Sequence, residues 1–262
     1  MSFAECLKEK ARDLGAALVG VCPSASLLAN REAMDNILPE HRSVVCLAIP
    51  HSDTALCSNN VRVKQHDTVY TYQAVGSVSH GIARHLEATG WRAVAVPHYA
   101  PIDMSDDKLG MVGDIDWKAA AVECGLASWG QNGLAVTPQY GPRVRIGGVL
   151  TNAVLDYDRP LAWDPCGDCR LCMEKCPVEA LIGEGVVDKK KCGDRIFAYG
   201  LRTFTRLLRD LAVAENEEQV KKLVYSHRVR EVWQTFQTGN YYYCWVCQEV
   251  CPVGRNQSVK LP

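Results

Sequence analysis

Cys166-Gly-Asp-Cys169-Arg-Leu-Cys172-Met-Glu-Lys-Cys176-Pro177 decides the reading of this chain, and Cys244-Trp-Val-Cys247-Gln-Glu-Val-Cys251-Pro252 answers it near the other end. Thirteen cysteines in 262 residues are too sparse for a small disulfide scaffold and too many for a casual cytosolic enzyme. Eight fall between Cys166 and Cys251, while Cys6, Cys22, Cys46, Cys57 and Cys124 are scattered. The opening Met1-Ser2-Phe3-Ala4-Glu5 lacks the basic-then-apolar layout of an export signal. A reducing, cytoplasmic compartment is therefore expected, where clustered thiols read as metal ligands before disulfides.

The first stretch has the CxxCxxCxxxCP spacing of a bacterial ferredoxin motif. Three closely spaced thiolates wrap one iron–sulfur cube, and the fourth, sent on by the turn before the proline, ligates a second. The second stretch is incomplete, because Tyr241 stands where a cysteine would complete it. Cys192 is the substitute available in the region. The expected ligand sets are Cys166, Cys169, Cys172 and Cys251 for one [4Fe–4S] cluster, and Cys176, Cys192, Cys244 and Cys247 for the other. Zinc is the competing reading, since paired CxxC motifs also build tetrahedral sites, but zinc does not require the longer run.

Lys+Arg 29 against Asp+Glu 30 leaves a net charge of −1, so no global basic field recruits nucleic acid. Apolar runs such as Ala16–Cys22 and Ser43–Ile49 are far too short to span a bilayer. Nucleic acid and membrane are not expected partners.

Residues ahead of the cysteine motifs alternate helix and strand signals. Ser2 with Glu5 forms a capping box for a helix through about Asp13, and Ala17–Val21 and Ser43–Ile49 read as buried strands. Residues 53–67 read as a polar surface loop. A helix is expected over Tyr72–Ala88, a strand over Arg92–Val96 and a helix over Asp116–Glu123. A hairpin is expected to join Gly133–Thr137 to Arg143–Leu150 through a Pro- and Gly-rich turn. Residues 156–165 mark a boundary. Beyond it, Phe197, Leu201, Phe204, Leu208 and Leu211 keep the spacing of one helix face. A second helix is expected over Glu215–Gln237, with Val220, Leu223, Val224, His227 and Val232 inward.

A further block is more specific than the cysteines: Lys118-Ala-Ala-Ala121, then Gly125-Leu-Ala-Ser-Trp-Gly130-Gln-Asn132-Gly-Leu-Ala-Val-Thr-Pro138-Gln-Tyr-Gly141-Pro-Arg143-Val-Arg-Ile-Gly. With Gly15-Ala-Ala-Leu-Val-Gly20 and the cysteine run, it resembles the epoxyqueuosine reductase and reductive dehalogenase superfamily over nearly the whole chain. The resemblance implies an α+β architecture. A nitroreductase-like α/β domain over residues 1–158 precedes a two-cluster ferredoxin-like domain over 159–262, which carries a helical insertion over 194–238. It further implies cobalamin in the first domain, reduced through the two clusters. The alternatives are FMN in that place, or a non-catalytic electron carrier serving a separate corrinoid protein. A ferredoxin or flavodoxin donor and a small-molecule substrate complete the picture. The chain ends at Pro262, without room for the tRNA-binding helical repeats of many such reductases, and begins without a twin-arginine leader. Both departures point to a different substrate.

Reductive chemistry of this kind needs a proton donor. Asp114 and Asp116 lie near where the resemblance places an acidic one, although capping of the following helix is the preferred reading. Lys118, Gly130, Asn132, His98 and Tyr99 are the cofactor-binding candidates; Lys118 reads equally as a solvated helix lysine, and His98 as a surface-loop histidine. His66 and Tyr70 sit in the polar stretch, where they would close over a cofactor. The scattered cysteines read as small core residues. Tyr241, Tyr242 and Tyr243 either shield a cluster or pack a helix end. Lys189, Lys190 and Lys191 either steer an acidic donor or form a solvated face.

Overall fold

The computed structural model describes residues 2–105, 112–239 and 242–255. α1 (Phe3–Asp13) starts where Ser2 Oγ accepts from the Glu5 amide, and its Ala4, Leu7 and Ala11 face inward. β1 (Leu18–Pro23), α2 (Arg31–Ile37), β2 (Ser43–Pro50), α3 (Asp53–Leu56), α4 (Val61–Ala88) and β3 (Ala93–Val96) follow. Next come α5 (Trp117–Glu123), the short strands β4 (Ser128–Trp129) and β5 (Ala135–Val136), and β6 (Val144–Thr151).

Four strands form one sheet in the order β1-β2-β6-β3, with every neighbouring pair antiparallel. Val45 and Leu47 of β2 pack with Leu7 of α1 and Val75, Val78 and Ile82 of α4. Val44 and Cys46 pack on the opposite face with Met34, Trp117 and Ala120. Helices thus cover both faces, which explains why β2 reads as an unbroken apolar run and not as an alternation.

Residues 53–67 are not a loop. Ser52 Oγ caps α3 through the Ala55 amide, and Asn60 Oδ1 caps α4 through the Arg62 amide. The long helix therefore begins eleven residues before Tyr72, and its polar early turns hid it from an apolar periodicity search. His66 and Tyr70 lie on this helix, ring against ring at 4.5 Å, and do not close over anything from a loop.

The expected hairpin does not form either. β5 pairs with β4, and β6 runs between β2 and β3. The Pro- and Gly-rich turn closes only a Thr137–Gly141 bridge, while the fully buried Val149 and Leu150 draw β6 into the centre of the sheet.

Residues 156–165 form no regular element, yet they are held. Asp158 accepts from Lys8 Nζ at 2.7 Å and from the Val21 amide at 2.8 Å. The cysteine-rich part then runs through α6 (Leu171–Glu174), β7 (Leu181–Gly183), β8 (Val186–Val187), α7 (Lys189–Ile196), α8 (Leu201–Ala212), α9 (Glu217–Val224), α10 (His227–Thr238) and α11 (Val246–Glu249).

Two helix readings are corrected here. The Phe197–Leu211 face is broken at Gly200, and Leu201 and Leu208 are exposed while Leu207 is buried. The helix expected over Glu215–Gln237 is two helices, because Ser226 Oγ accepts from the Val229 amide and starts α10 afresh. Of its expected inward residues only Val232 is buried. Cys22, Cys46 and Cys124 are core residues as expected, but Cys6 is exposed and Cys57 only half-buried.

Candidate metal centre

All thirteen thiols are free. The clustered eight are one another's neighbours. Burial first, and then the thiols of Cys166, Cys251 and Cys169, push the Cys172 thiol up. Burial and then Cys244 and Cys176 do the same to Cys192. Cys247 is pushed up to about 12 by burial, Cys244 and Cys192, with Cys172 and Cys176 adding less. Cys172 thus neighbours Cys166, Cys169 and Cys251, Cys192 neighbours Cys176 and Cys244, and Cys247 is near Cys244, Cys192, Cys172 and Cys176, so the eight thiols gather in one place. The short helices α6, which follows the Cys166–Cys169 turn and carries Cys172, and α11, which carries Cys247, pack on each other and bring the two cysteine runs together.

Backbone donors already point at this sulfur. The Gln131 amide donates to Cys166 Sγ at 3.4 Å, and the Ala180 amide to Cys176 Sγ at 3.3 Å. Among the described residues no three His, Cys, Asp or Glu side chains stand close enough to hold one metal ion. Soft thiolates are the ligands that iron–sulfur clusters take.

The segment between Gly125 and Arg143 is the joint between the sheet-bearing and cysteine-rich parts. Gln131 Oε1 accepts from the Glu184 amide at 2.5 Å. Gly133 (φ +68°) has no room for a side chain against the Gly185 carbonyl, and Gly141 (φ +57°) has none against the Val253 carbonyl. Arg143, 1% exposed, donates from Nε to Asp53 at 2.7 Å and from its two terminal nitrogens to the Cys251 and Val253 carbonyls, each at 2.9 Å. Trp245 Nε1 donates to Thr68 Oγ1 at 3.0 Å, Gln248 Nε2 to the Pro142 carbonyl at 2.8 Å, and Lys64 pairs with Glu249.

The cofactor and acid candidates fall apart into separate places. Gly130 and Asn132 build the turn between β4 and β5, where Asn132 Oδ1 accepts from the Leu134 amide. Lys118 lies over the Trp129 ring at 5.8 Å and 3.5 Å from the Gly133 carbonyl, near enough to Cys192 to favour its thiolate. Asp116 Oδ1 accepts from the Lys118 and Ala119 amides and caps α5, and Asp114 is half-buried in the bend before it. Lys189, Lys190 and Lys191 form the exposed first turn of α7, capped by Asp188.

His98 and Tyr99 belong to another layer, between α4 and the segment leading to Cys244. His98 Nε2 donates to the Tyr72 carbonyl at 2.9 Å, and burial lowers its pKa. Tyr99 stacks on Tyr72 at 4.4 Å and donates to the Gly239 carbonyl. Tyr72 Oη donates to Tyr242 Oη at 3.0 Å. Arg145 lies over both rings, 4.8 Å from Tyr72 and 5.0 Å from Tyr242. Tyr243 packs the helical segment instead, bonding Glu231 at 2.9 Å; Tyr241 lies outside the described residues. Sequence reasoning missed Arg145 and the pair formed by His51 Nδ1 and Asp67 Oδ2 at 2.5 Å. Their only sequence signal is a polar residue in an apolar strand and one just past a strand end.

Residues 165–254 match the family model for a 4Fe-4S double cluster binding domain. The epoxyqueuosine reductase of Gloeobacter violaceus is 30% identical over 167 residues, 62% of this chain and 48% of that protein. That of Synechocystis sp. is 27% identical over 223 residues, 85% of this chain and 66% of that protein. The chain thus spans less than two thirds of the length of these relatives. The fold is that of the Streptococcus thermophilus epoxyqueuosine reductase structure (TM-score 0.55, 16% identity, 100% of this chain and 68% of that one). It is also that of a reductive dehalogenase whose structure was read for B12-dependent dehalogenation (TM-score 0.59, 15% identity, 90% and 36%).

Proposed function

Starting from a chain of the epoxyqueuosine reductase and reductive dehalogenase superfamily, we propose an iron–sulfur oxidoreductase that carries low-potential electrons through two [4Fe–4S] clusters toward residues 1–158. The single observation that carries this reading is the gathering of eight thiols within residues that match a 4Fe-4S double cluster binding domain. Cys166, Cys169, Cys172 and Cys251 would hold one cluster, and Cys176, Cys192, Cys244 and Cys247 the other. Bound there, the clusters supply one-electron transfer. The chain's own residues do the rest. The Gln131 and Ala180 amides offset thiolate charge, Arg143 fixes the Cys251 backbone, and Trp245 anchors the second motif to α4.

The superfamily likeness suggests a corrinoid as acceptor in a nitroreductase-like first domain, with a flavin as the second possibility. The layer between α4 and the segment leading to Cys244 is filled by the Tyr99–Tyr72 stack and by Arg145 over Tyr72 and Tyr242. Two cavities, of about 270 and 530 Å³, are lined by other residues. This closed layer favours the electron-carrier reading, in which the acceptor is a separate corrinoid protein.

The exposed Lys189–Lys191 turn beside Cys192 suits an acidic donor such as a ferredoxin or flavodoxin. Free thiols throughout suit a reducing cytoplasm, and among the described residues no helix is long and apolar enough to cross a membrane. The test is an absorption titration of the anaerobically purified protein with cobalamin and with FMN. Absence of a spectral change with either supports the carrier reading; tight binding with a base-off cobalamin spectrum overturns it.

A further inference from the structure

The helical segment around and beyond Cys192 is basic in a chain that is not. Residues 189–238 carry eleven Lys and Arg against six Asp and Glu, whereas the whole chain carries 29 against 30. The segment is therefore at +5 and the remainder of the chain at −6. Much of the positive charge lies on two consecutive helices. Lys189, Lys190 and Lys191 open α7, and Arg202, Arg206 and Arg209 follow one side of α8 at helical spacing, all of them exposed.

Apolar surface lies beside this row. Leu201 and Leu208, which the sequence spacing turns inward, are 51% and 49% exposed. Phe204 of the same stripe meets Phe236 of α10 edge to face at 5.6 Å, so the stripe continues onto a second helix. Phe236 is 43% exposed, and Trp233, one turn earlier on the same side of α10, is 65% exposed. Large apolar side chains gathered in the open mark a protein interaction site. An aromatic and aliphatic centre with arginines at its edge is the composition such interfaces favour. Single-stranded nucleic acid asks instead for aromatic rings along a basic groove, and aliphatic Leu201 and Leu208 do not supply them.

The segment is rooted at two of the clustered cysteines. α7 carries Cys192. The Tyr243 amide, one residue before Cys244, donates to the Ile196 carbonyl at the end of α7 at 2.9 Å, and the Tyr243 ring meets Tyr199 at 4.8 Å. A protein seated on this segment is thus held beside the thiols of one expected ligand set.

We propose that the exposed face of α8 and α10 docks an acidic electron-transfer protein. The partner's apolar centre meets Leu208, Phe236 and Trp233, and its carboxylates meet Arg202, Arg206 and Arg209. The nature of the partner rests on the electron-carrier reading above; the surface itself does not.

The experiment is calorimetric titration of the anaerobically purified protein with an oxidised [2Fe–2S] ferredoxin and, separately, with a flavodoxin, both small acidic carriers. Saturable binding is expected with at least one, weakening as salt rises. Trp233→Gln and Arg206→Glu should each weaken it about tenfold or more, while Arg92→Glu, exposed but outside the segment, should not. The replaced side chains are exposed, so the fold and iron content should stay those of the wild type. Undiminished binding in both variants, or no saturable binding of either carrier, overturns the surface. A wild-type dimer that Trp233→Gln dissociates overturns it in favour of a second copy of this chain, and poly(U) binding lost in both variants overturns it in favour of nucleic acid. Iron and sulfide content decide the electron-carrier reading separately: salt-sensitive binding by a chain without clusters keeps the surface and removes that reading.

Discussion

The backbone amide of Gln131 donates to Cys166 Sγ at 3.4 Å. That single bond ties the glycine- and asparagine-rich turn of the sheet-bearing part to the first thiol of the cysteine run. It gives the segment from Gly125 to Arg143 a role as a joint. An amide aimed at a ligating sulfur stabilises the more negative, reduced state of a cluster and so raises its potential.

Replacing Gln131 with Pro removes that donor, whereas Gln131→Ala keeps it. A redox titration followed by electron paramagnetic resonance should find a lower potential for one cluster in Gln131→Pro and an unchanged one in Gln131→Ala. Equal potentials in all three proteins would show that the amide does not reach a cluster.

Cys192 lies outside both runs and yet groups with Cys176, Cys244 and Cys247. Cys192→Ala should retain about four irons of about eight, since each cube holds four. Retention of the full iron content in the purified variant contradicts the ligand set.

Gly141 holds φ +57° with its α-carbon against the Val253 carbonyl, and Arg143 bonds the carbonyls on either side of Pro252. Gly141→Ala should cost about 1–3 kcal/mol through strain and forced displacement. Arg143→Met, which leaves Asp53 without its partner and two carbonyls unbonded, should cost about 3 kcal/mol or more. Both should bleach faster under chelator, beginning with the cluster that uses Cys251. Wild-type bleaching rates in both variants would dismiss the joint.

Burial, with the charge of Arg145 adding to it, holds His51 at about 4 against an ordinary 6.5, while Asp67 opposes the shift. The folded pKa is depressed, so the unfolded chain takes up the proton first as pH falls. The contribution is therefore complete above about pH 6.5 and is lost on the way down to about 4, at most about 3 kcal/mol. Anaerobic denaturant unfolding at pH 7.5 and pH 5 should show a larger loss for the wild type than for His51→Gln. Identical losses would place His51 in contact with water.

Much of this was legible in the sequence, and the reasons are specific. The gathering of the clustered thiols in one place follows from local spacing, because a CxxC turn fixes its own geometry. Only Cys192 had to be found by elimination. β2 announced itself as an apolar run, since both faces of the sheet are covered. The start of α4 was hidden by polar turns whose caps, Ser52 and Asn60, announce helices without an apolar stripe behind them. β6 was misassigned to a hairpin because a Pro- and Gly-rich turn looks the same whether it joins partners or separates them. Asn132 and Gly130 were read as ligand contacts, but their chemistry serves the turn itself. The meeting of Arg145 with Tyr72, Tyr242 and His51 needed three elements to converge, which no local pattern reports.

The most direct measurement is iron and acid-labile sulfide per chain after anaerobic purification, with electron paramagnetic resonance of the dithionite-reduced protein. Two clusters on the eight grouped cysteines predict about eight irons and about eight sulfides, with a spectrum broadened by coupling between two adjoining spins. One or two zinc ions per chain without sulfide, or about four irons with an uncoupled spectrum, would contradict the account.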